Sequence, residues 1–316
     1  MRLVRFTVAD SIPGARVRVG ALVGASTARP SGWTHIVDLS ATLPCGGDMR
    51  AFLSGGAAMQ ARAAAAVASG AHRLPRSTTT LLAPIDNCEK LLCVGMNYRE
   101  HCTEQNYPFP EVPLIFSKFA SSITSGSDGA RVHFDSRLTQ KMDWEVELAV
   151  VIGQEVPRNT SEADADSYIA GYTVAHDVSA RDWQMEQNGG QWLLGKTMDT
   201  FSPIGPAIVT KEEVPDIHSK GIRCFVNGKI VQDSNTSEMV HTAPKCVAWI
   251  SKFVTLKPGD LIFTGTPSGV GCFRDPPVWL GHGDVVKCEI DGLGSITNEC
   301  IDAARTHTER TLRSNL

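Results

Sequence analysis

The sequence lacks the features that mark membrane proteins and nucleic-acid-binding proteins. None of its apolar runs approaches the roughly 18 consecutive residues of a membrane-spanning helix. The Ala-rich stretch from Ala57 to Gly70 is broken by Gln60 and Arg62 and is typical of a surface helix. The 30 basic residues are outnumbered by 34 acidic ones, for a net charge of −4, whereas binding phosphates needs a concentrated basic face. We therefore expect neither a membrane nor a nucleic acid as a partner.

Cysteine pairs and leader segments are also missing. The nine cysteines are odd in number and scattered, without a Cys-x-x-Cys pair, which predicts free thiols in a reducing, intracellular compartment. The opening residues, MRLVRFTVAD, alternate like a strand. They have neither the apolar centre of a secretory signal nor the Arg- and Ser-rich pattern of an organelle presequence. The sequence itself is therefore compatible with the cytoplasm as a location.

Short runs of β-branched and aromatic residues dominate the sequence from Pro84 onward. Bounded by Gly, Pro, Asn or Asp, such runs predict strands, here at Leu91–Val94, Leu114–Phe116, Val146–Ile152, Ile169–Val174, Ile222–Val226 and Leu261–Phe263. Asn227-Gly228 before Lys229–Val231 predicts a hairpin turn. Helical patterns are fewer, and they cover Met49–Ser69, Asn97–Gln105 and Thr242–Phe253.

The first 85 residues differ from the rest in their sequence pattern. They hold strand-like segments at Arg2–Val8 and Val17–Val23, and they end in a polar exit, RLPRSTTT. We predict a small N-terminal α+β domain over residues 1–85, a larger β-rich domain over 86–302 and a polar tail over 303–316. The predicted fold class is α+β and mostly β.

The most informative segment is DWEVELAVVIG, which places two acids two residues apart. Side chains on a strand alternate between faces, so Glu145 and Glu147 share one face. At roughly 7 Å separation and an effective dielectric near 20, two such charges repel by about 2 kcal/mol. A half-exposed strand tolerates this repulsion, whereas a central strand needs a cation to offset it.

Asp177 favours the second alternative, because it ends the apolar run YIAGYTVAH. An acid at the end of a buried strand lies where sheets commonly place ligands. Three oxygen donors from two strands suit a hard cation such as Mg²⁺, while the His and Cys spacings of zinc sites are absent. The side chain of His176 points away from that of Asp177 on a strand, so we interpret His176 as a packed structural residue.

Two further segments carry possible chemistry. Lys196 lies between apolar residues in WLLGKTMDTF, so it either snorkels to the surface or stabilises an enolate or carboxylate beside a metal. The segment TGTPSGVG, which begins at Thr264, follows a predicted strand and offers backbone N–H groups. It lacks the ending of a Walker loop and is by itself a glycine-rich turn.

In GMNYREHCTE, His101 and Glu104 are three residues apart and therefore neighbours on a helix. A carboxylate beside an imidazole can orient it as a general base. The alternative is a surface ion pair, which is the commoner origin of such a spacing.

Taken together, these segments resemble the fumarylacetoacetate hydrolase family. The resemblance covers about Lys90 to Ile301 and rests on an ordered series of motifs. These are GMNY followed by His101-x-x-Glu104, Glu145-x-Glu147, His176-Asp177-x-x-Ala-Arg181-Asp182-x-Gln184, Gly195-Lys196-Thr197 and Thr264-Gly-Thr-Pro267.

The resemblance implies a mixed β-roll catalytic core, a homodimer, and Mg²⁺ (alternatively Mn²⁺ or Ca²⁺) held by Glu145, Glu147 and Asp177. It implies that His101 and Glu104 form a proton-transferring or water-activating dyad on a mobile lid. Family positions that contact substrate or support the metal are matched by Arg181, Gln184, Lys196 and Thr266. One departure is the lack of an extra aspartate ligand in the GMNY stretch, where the resemblance implies a water instead.

The resemblance also indicates the class of substrate, a small 2-oxo or 2,4-dioxo acid that chelates the metal. Polarising its C2 carbonyl acidifies C3 and stabilises an enolate, from which tautomerisation, decarboxylation or hydrolysis of a C–C bond can follow. We expect oxaloacetate keto–enol tautomerisation, with acylpyruvate hydrolysis or oxaloacetate decarboxylation as the alternative and a non-catalytic metal-stabilised binding protein as the third. The resemblance further implies the mitochondrial matrix as the location.

Overall fold

The computed structural model describes residues 1–8, 16–24, 32–127 and 129–305. The first part of the chain forms five strands and two helices before residue 85: β1 (Arg2–Val8), β2 (Arg18–Val23), β3 (His35–Asp38), α1 (Met49–Ser54), α2 (Gly56–Ser69), β4 (Arg73–Pro75) and β5 (Thr79–Leu82). The middle part contains β6 (Leu91–Gly95), α3 (Arg99–Glu104), β7 (Leu114–Lys118), β8 (Ile123–Ser125), β9 (Arg131–Phe134), β10 (Met142–Asp143), β11 (Val146–Ile152), α4 (Glu162–Ala165), β12 (Ile169–His176), β13 (Ser179–Ala180) and α5 (Leu193–Lys196).

The last part completes the fold with β14 (Ser202–Thr210), β15 (Gly221–Val226), β16 (Lys229–Asn235), α6 (Ala243–Ser251), β17 (Leu261–Phe263), β18 (Val285–Ile290) and β19 (Gly294–Asp302). A 12-stranded sheet runs in the order β4-β3-β2-β1-β14-β12-β11-β17-β6-β7, with β5 paired to β1 and β8 to β14. A five-stranded sheet has the order β16-β15-β18-β19-β9. Parallel pairs (β14 with β8, β17 with β6, β19 with β9) stand among antiparallel ones. The predicted α+β, mostly β class is confirmed.

Strand β11 divides the core, because its side chains alternate between two apolar clusters. Val146, Leu148 and Val150 belong to the cluster that also contains residues of the five-stranded sheet. Ala149 and Val151 belong to the other cluster, which contains residues of the N-terminal strands and helices. The strand is buried along its whole length between β12 and β17, so the prediction of a central strand is confirmed.

Two predicted helices differ from the observed ones. The stretch Met49–Ser69 is not one helix but two, since Gly56 has a positive φ of 52° that interrupts the regular backbone. Helix α3 begins at Arg99 rather than Asn97, because Tyr98 before it is extended. The third helical prediction holds, with the Thr242 side chain accepting a bond from the backbone N–H of Lys245 as its cap.

The N-terminal strands extend the same sheet that contains β11 and β12, through the pairing of β1 with β14. The boundary near residue 85 stays a prediction. The predicted tail of 303–316 lies outside the described residues from 306 onward.

Among the described helices, none has the length and apolar character that crossing a bilayer requires. All nine cysteines are free thiols, and all but Cys272 are buried.

Gly171 sets the close contact between β12 and β14. A Cβ atom at this position would lie 2.2 Å from the backbone carbonyl oxygen of Val209, a contact that only backbone movement can relieve. We expect Gly171→Ala to lower the free energy of unfolding by about 1–3 kcal/mol, the usual cost of overpacking. Thermal melts would measure this change. Gly281→Ala is the matched control, because its nearest atom would lie 3.7 Å away, and an equal loss in both variants would contradict the packing argument.

Candidate active site and metal centre

Three carboxylates meet where β11 and β12 lie side by side. In the antiparallel register Glu147 pairs with Ala175 and Val146 with His176, and the backbone N–H of Asp177 donates to the carbonyl of Glu145. The same parity therefore places Glu145, Glu147 and Asp177 on one face of the sheet. Oxygen atoms from the three carboxylates lie within 4.8 Å of one another, and all three residues are buried.

Three buried cations surround these acids. Lys196 Nζ lies 2.7 Å from Glu145 Oε2 and 2.9 Å from Asp177 Oδ2. Lys118 Nζ donates to Asp177 Oδ1 at 2.5 Å and to the carbonyl of Phe201 at 2.7 Å. The snorkelling alternative for Lys196 is wrong, because this side chain is 2% exposed and its ammonium group is paired.

The third cation is the Arg181 guanidinium, which links the three acids to a fourth. Its NH2 nitrogen lies 2.7 Å from Glu145 Oε1, and its Nε donates to Asp143 Oδ2 at 2.8 Å. Its NH1 donates to the amide oxygen of Gln184 at 2.9 Å. The side chains of Arg181 and Gln184 are thus held in place before any substrate arrives.

These contacts leave Glu147 without a cationic partner among the described residues. Its one hydrogen bond comes from the backbone N–H of Gly265, at 2.7 Å. Burial, followed by the charges of Asp177 and Glu145, raises the pKa of Glu147 well above its usual range. For Glu145, burial opposes ionisation, but the charges of Lys196 and Arg181 outweigh it and lower the pKa to about 2. Of the two acids on this face, Glu145 therefore favours the ionised form and Glu147 the protonated form.

The arrangement fits a hard divalent cation. Four buried carboxylates (those of Asp143, Glu145, Glu147 and Asp177) face three buried cations, so one negative charge is uncompensated. Oxygen donors on one side of an open cavity match Mg²⁺, which keeps coordination positions for waters and substrate. His176 lies outside the group of potential ligands. It is buried, and burial followed by the charge of Lys118 lowers its pKa to about 3, which agrees with a packed structural residue.

His101 and Glu104 lie on α3 beside the same cavity. Glu104 Oε2 is 2.9 Å from His101 Nδ1, and Glu104 Oε1 accepts a bond from the backbone N–H of Gly269 at 3.0 Å. The Phe273 ring packs against the imidazole, with 6.0 Å between ring centroids. His101 is 6% exposed, so the surface ion pair proposed as its alternative does not describe this pair.

The cavity wall combines these polar groups with apolar side chains. Seven of the nine predicted site residues line it: His101, Glu145, Glu147, Arg181, Gln184, Lys196 and Thr266. Glu104 and Asp177 do not belong to this lining, but they form hydrogen bonds with two residues that do, His101 and Lys196 respectively. The apolar part of the lining comes from Val94, Met96, Phe116, Met185, Trp192 and Phe273.

Thr266 is held by two side-chain hydrogen bonds. Its hydroxyl donates to the carbonyl of Val146 and accepts from the amide of Gln232, at 2.9 and 2.8 Å. Asn97, in the stretch that lacks the extra aspartate, donates to the carbonyls of His241 and Thr264. These bonds connect three loops, and they use the side-chain amide nitrogen of Asn97 as the donor.

Several residues of the site are not apparent from the sequence. Lys118, Asp143, Gln105 and Gln232 all contact predicted site residues. Lys118 lies two residues beyond the predicted strand Leu114–Phe116, at the end of the observed β7. It carries no local signal, because its partner is 59 residues away. Asp143 opens the acidic segment that drew attention to Glu145, and its position two residues earlier was the available signal.

Known proteins match this chain over nearly its whole length. Residues 90–301 match the family model for the fumarylacetoacetate (FAA) hydrolase C-terminal region. An oxaloacetate tautomerase of Xenopus laevis, named as mitochondrial, is 53% identical over 304 residues, which cover 95% of this chain and 90% of that protein. Fumarylacetoacetate hydrolase domain-containing protein 2 of Pongo abelii is 50% identical over 301 residues, with 95% and 92% covered.

Solved structures give the same result for the fold. A fumarylacetoacetate hydrolase from the psychrophilic Exiguobacterium antarcticum superposes with a TM-score of 0.79 at 30% identity. The match covers 96% of this chain and 99% of that one.

Glu147→Gln should separate metal binding from stability. Because the folded chain holds a proton on Glu147 more tightly than the unfolded chain does, the metal-free protein loses stability as pH rises above the ordinary carboxyl range. A neutral glutamine removes that loss. At pH 7.5 we expect the metal-free variant to melt at a higher temperature than the metal-free parent. Magnesium should raise the melting temperature of the parent and leave the variant unchanged.

Elemental analysis of the two proteins checks the metal content directly. Glu155→Gln is the control, because Glu155 pairs with Lys257 at the surface, and it should behave like the parent. Equal magnesium content in Glu147→Gln and the parent would contradict a metal site at this position.

Proposed function

The chain belongs to the fumarylacetoacetate hydrolase family of enzymes, and from that premise we propose that it is a magnesium-dependent oxaloacetate keto–enol tautomerase. The observation that carries the proposal is the convergence of the three acids and the His101–Glu104 pair on one cavity. The name of the Xenopus laevis relative, at 53% identity, supports oxaloacetate as the substrate.

We propose that Glu145, Glu147 and Asp177 hold the metal. When bound, a divalent cation would supply the Lewis acidity that polarises the C2 carbonyl of a 2-oxo acid and makes its C3 proton acidic. Arg181 and Lys196 contribute fixed positive charge around the substrate's oxygen atoms. The side-chain amide N–H groups of Gln184 are available to the substrate, since its amide oxygen is the atom that Arg181 uses.

His101 carries the proton in this proposal. Glu104 accepts a bond from Nδ1–H, which leaves the lone pair of Nε2 as the basic atom. Nε2 takes a proton from one position of the substrate and returns it to another, with Glu104 stabilising the charged ring in between. Because the cavity wall is largely apolar, water has limited access to the enolate while the proton is on the histidine.

A second candidate function is hydrolysis of an acylpyruvate, or decarboxylation of oxaloacetate. The solved fumarylacetoacetate hydrolase, similar over nearly the whole chain, favours keeping this candidate. It needs the same metal and the same dyad, but the dyad activates a water. The two candidates differ in their products, so an assay can separate them.

We also propose a homodimer in the mitochondrion. The dimer follows from the family resemblance, and the location follows from the mitochondrial names of the relatives. Size-exclusion chromatography with light scattering tests the dimer, and fractionation of source cells tests the location.

The substrate assay uses the ultraviolet absorbance of enol oxaloacetate. We expect magnesium-dependent decay of this absorbance without release of pyruvate, which a coupled dehydrogenase detects. Chelation of the metal should abolish the decay, and magnesium should restore it. Rapid pyruvate release from acetylpyruvate, without an effect on enol decay, would favour the hydrolase instead. Inactivity on both substrates with the metal bound would favour the binding-protein alternative.

His101→Ala should remove the proton carrier and leave the metal site intact. We expect the rate of enol decay to fall about 10²–10⁴-fold, the usual contribution of general acid–base catalysis, with unchanged magnesium content and melting temperature. His133→Ala is the control, because His133 is exposed on β9. A rate that stays within a factor of about two would reduce the pair to a structural contact.

A further inference from the structure

Gln105, the residue directly after α3, covers the basic nitrogen of the proposed proton carrier. Its Nε2 lies 2.8 Å from His101 Nε2, while Glu104 holds the other ring nitrogen at 2.9 Å. Both nitrogens of the ring are therefore occupied. With the Nδ1–H proton directed to Glu104, the amide of Gln105 must be the donor to the Nε2 lone pair.

The amide also faces the substrate cavity, which Gln105 and His101 line together. The only other contact of its Nε2 among the described residues is the sulfur of Met96, at 3.3 Å. A thioether is a weak acceptor, so the bond to His101 Nε2 is the one strong hydrogen bond that the amide nitrogen gives up if it moves toward an anionic oxygen in the cavity.

The hydrogen bond from amide to imidazole joins two neutral groups. A carboxylate forms a shorter and roughly twofold stronger bond with an amide N–H than a neutral acceptor does. A carboxylate in the cavity therefore competes successfully for the amide, whereas a water molecule or a neutral ester has no such advantage.

We propose that Gln105 is a specificity-determining residue that recognises the second carboxylate of a dicarboxylic 2-oxo acid. The inference rests on the proposed function and adds to it. In the resting site the amide blocks the lone pair of His101 Nε2. The distal carboxylate of the substrate draws the amide away, so that the base is exposed only when a diacid is bound.

The charges around the ring agree with this arrangement. Glu104 on α3 and Glu145, directly before β11, are the acids near His101. Arg181 and Lys196 are both paired to acids. The described lining of the cavity therefore offers the distal carboxylate no unpaired cation. The neutral amide of Gln105 is the donor that can bind it.

A pair of substrates that differ in one charge tests the proposal. Enol oxaloacetate and the enol of its C4 ethyl ester are compared with the magnesium-loaded parent and with Gln105→Leu. We expect the parent to prefer the diacid, mainly through kcat. In the variant, kcat/KM for the diacid should fall by about tenfold, the factor for one charge-assisted hydrogen bond, while the value for the ester stays level or rises.

Two variants serve as controls. Gln105→Glu should reduce turnover of the diacid more than that of the ester, because it replaces a donor with a like charge. Gln154→Leu, at an exposed position outside the cavity, should leave the selectivity unchanged. Undiminished preference for the diacid in Gln105→Leu would overturn the proposal.

A spectroscopic measurement decides the matter without turnover. Malate and 2-hydroxybutyrate have the same carbon chain, but only malate has the distal carboxylate. In ¹⁵N-labelled magnesium-loaded protein, malate should shift the His101 Nε2 resonance toward that of a ring without a donor, and 2-hydroxybutyrate should not. Gln105→Leu should show the shifted resonance without ligand.

The spectroscopic result also separates the two proposals. If the parent does not tautomerise oxaloacetate, the proposed function fails, and a malate-specific shift would still support recognition of a distal carboxylate by Gln105. Equal shifts with both ligands, or none with either, would overturn the role of Gln105.

Discussion

The structure depends on the accommodation of four buried acids around the start of the central strand β11. Repulsion between two unit charges a few ångströms apart amounts to several kcal/mol once water is excluded. Three cations, Lys118, Lys196 and Arg181, offset most of it. Each of them is itself buried and would be costly without its acid, so acids and cations require one another. The partners come from separate strands and loops, which means that this balance also fixes how those segments pack.

One negative charge of the site is not compensated by the buried cations, and this charge points to a role other than stability. Glu147 is the acid that the cations leave out, and its pKa is raised accordingly. A well-packed neutral side chain would be more stable there in the metal-free chain. The acid is therefore evidence for a role that stability does not account for, and binding of a divalent cation is the role that its neighbours support.

The sequence predicted those parts of the site that depend on local periodicity. The alternation of β11 placed Glu145 and Glu147 together, and the end of β12 placed Asp177 beside them. The fold class and most strands followed from similar patterns. Contacts between distant segments could not be predicted in this way. Lys118 reaches Asp177 across 59 residues, and nothing near it in the sequence shows that its ammonium is buried. The break of the first helix at Gly56 was missed because a glycine in an Ala-rich stretch is compatible with either outcome.

The electrostatics of the cavity also restrict which residue moves protons. The pKa of Glu145 is about 2, so this carboxylate stays ionised. Burial opposes charge on Lys196 and Arg181, but their acid partners outweigh burial and raise both pKa values, so both cations stay protonated. These groups act as fixed charges. An imidazole is the side chain suited to proton exchange near neutral pH, and His101 is the one in the described lining of the cavity.

A single carrier is sufficient for tautomerisation, because the proton removed from one atom of the substrate is returned to another. Hydrolysis demands more, since a water must be bound and activated while the leaving carbon is protonated. In the resting site, the Nε2 lone pair that would activate this water is already occupied by Gln105. The resting geometry therefore favours a reaction that begins with a substrate bearing a distal carboxylate, such as oxaloacetate, over one in which a free water must first reach Nε2. For this reason we place tautomerisation ahead of hydrolysis.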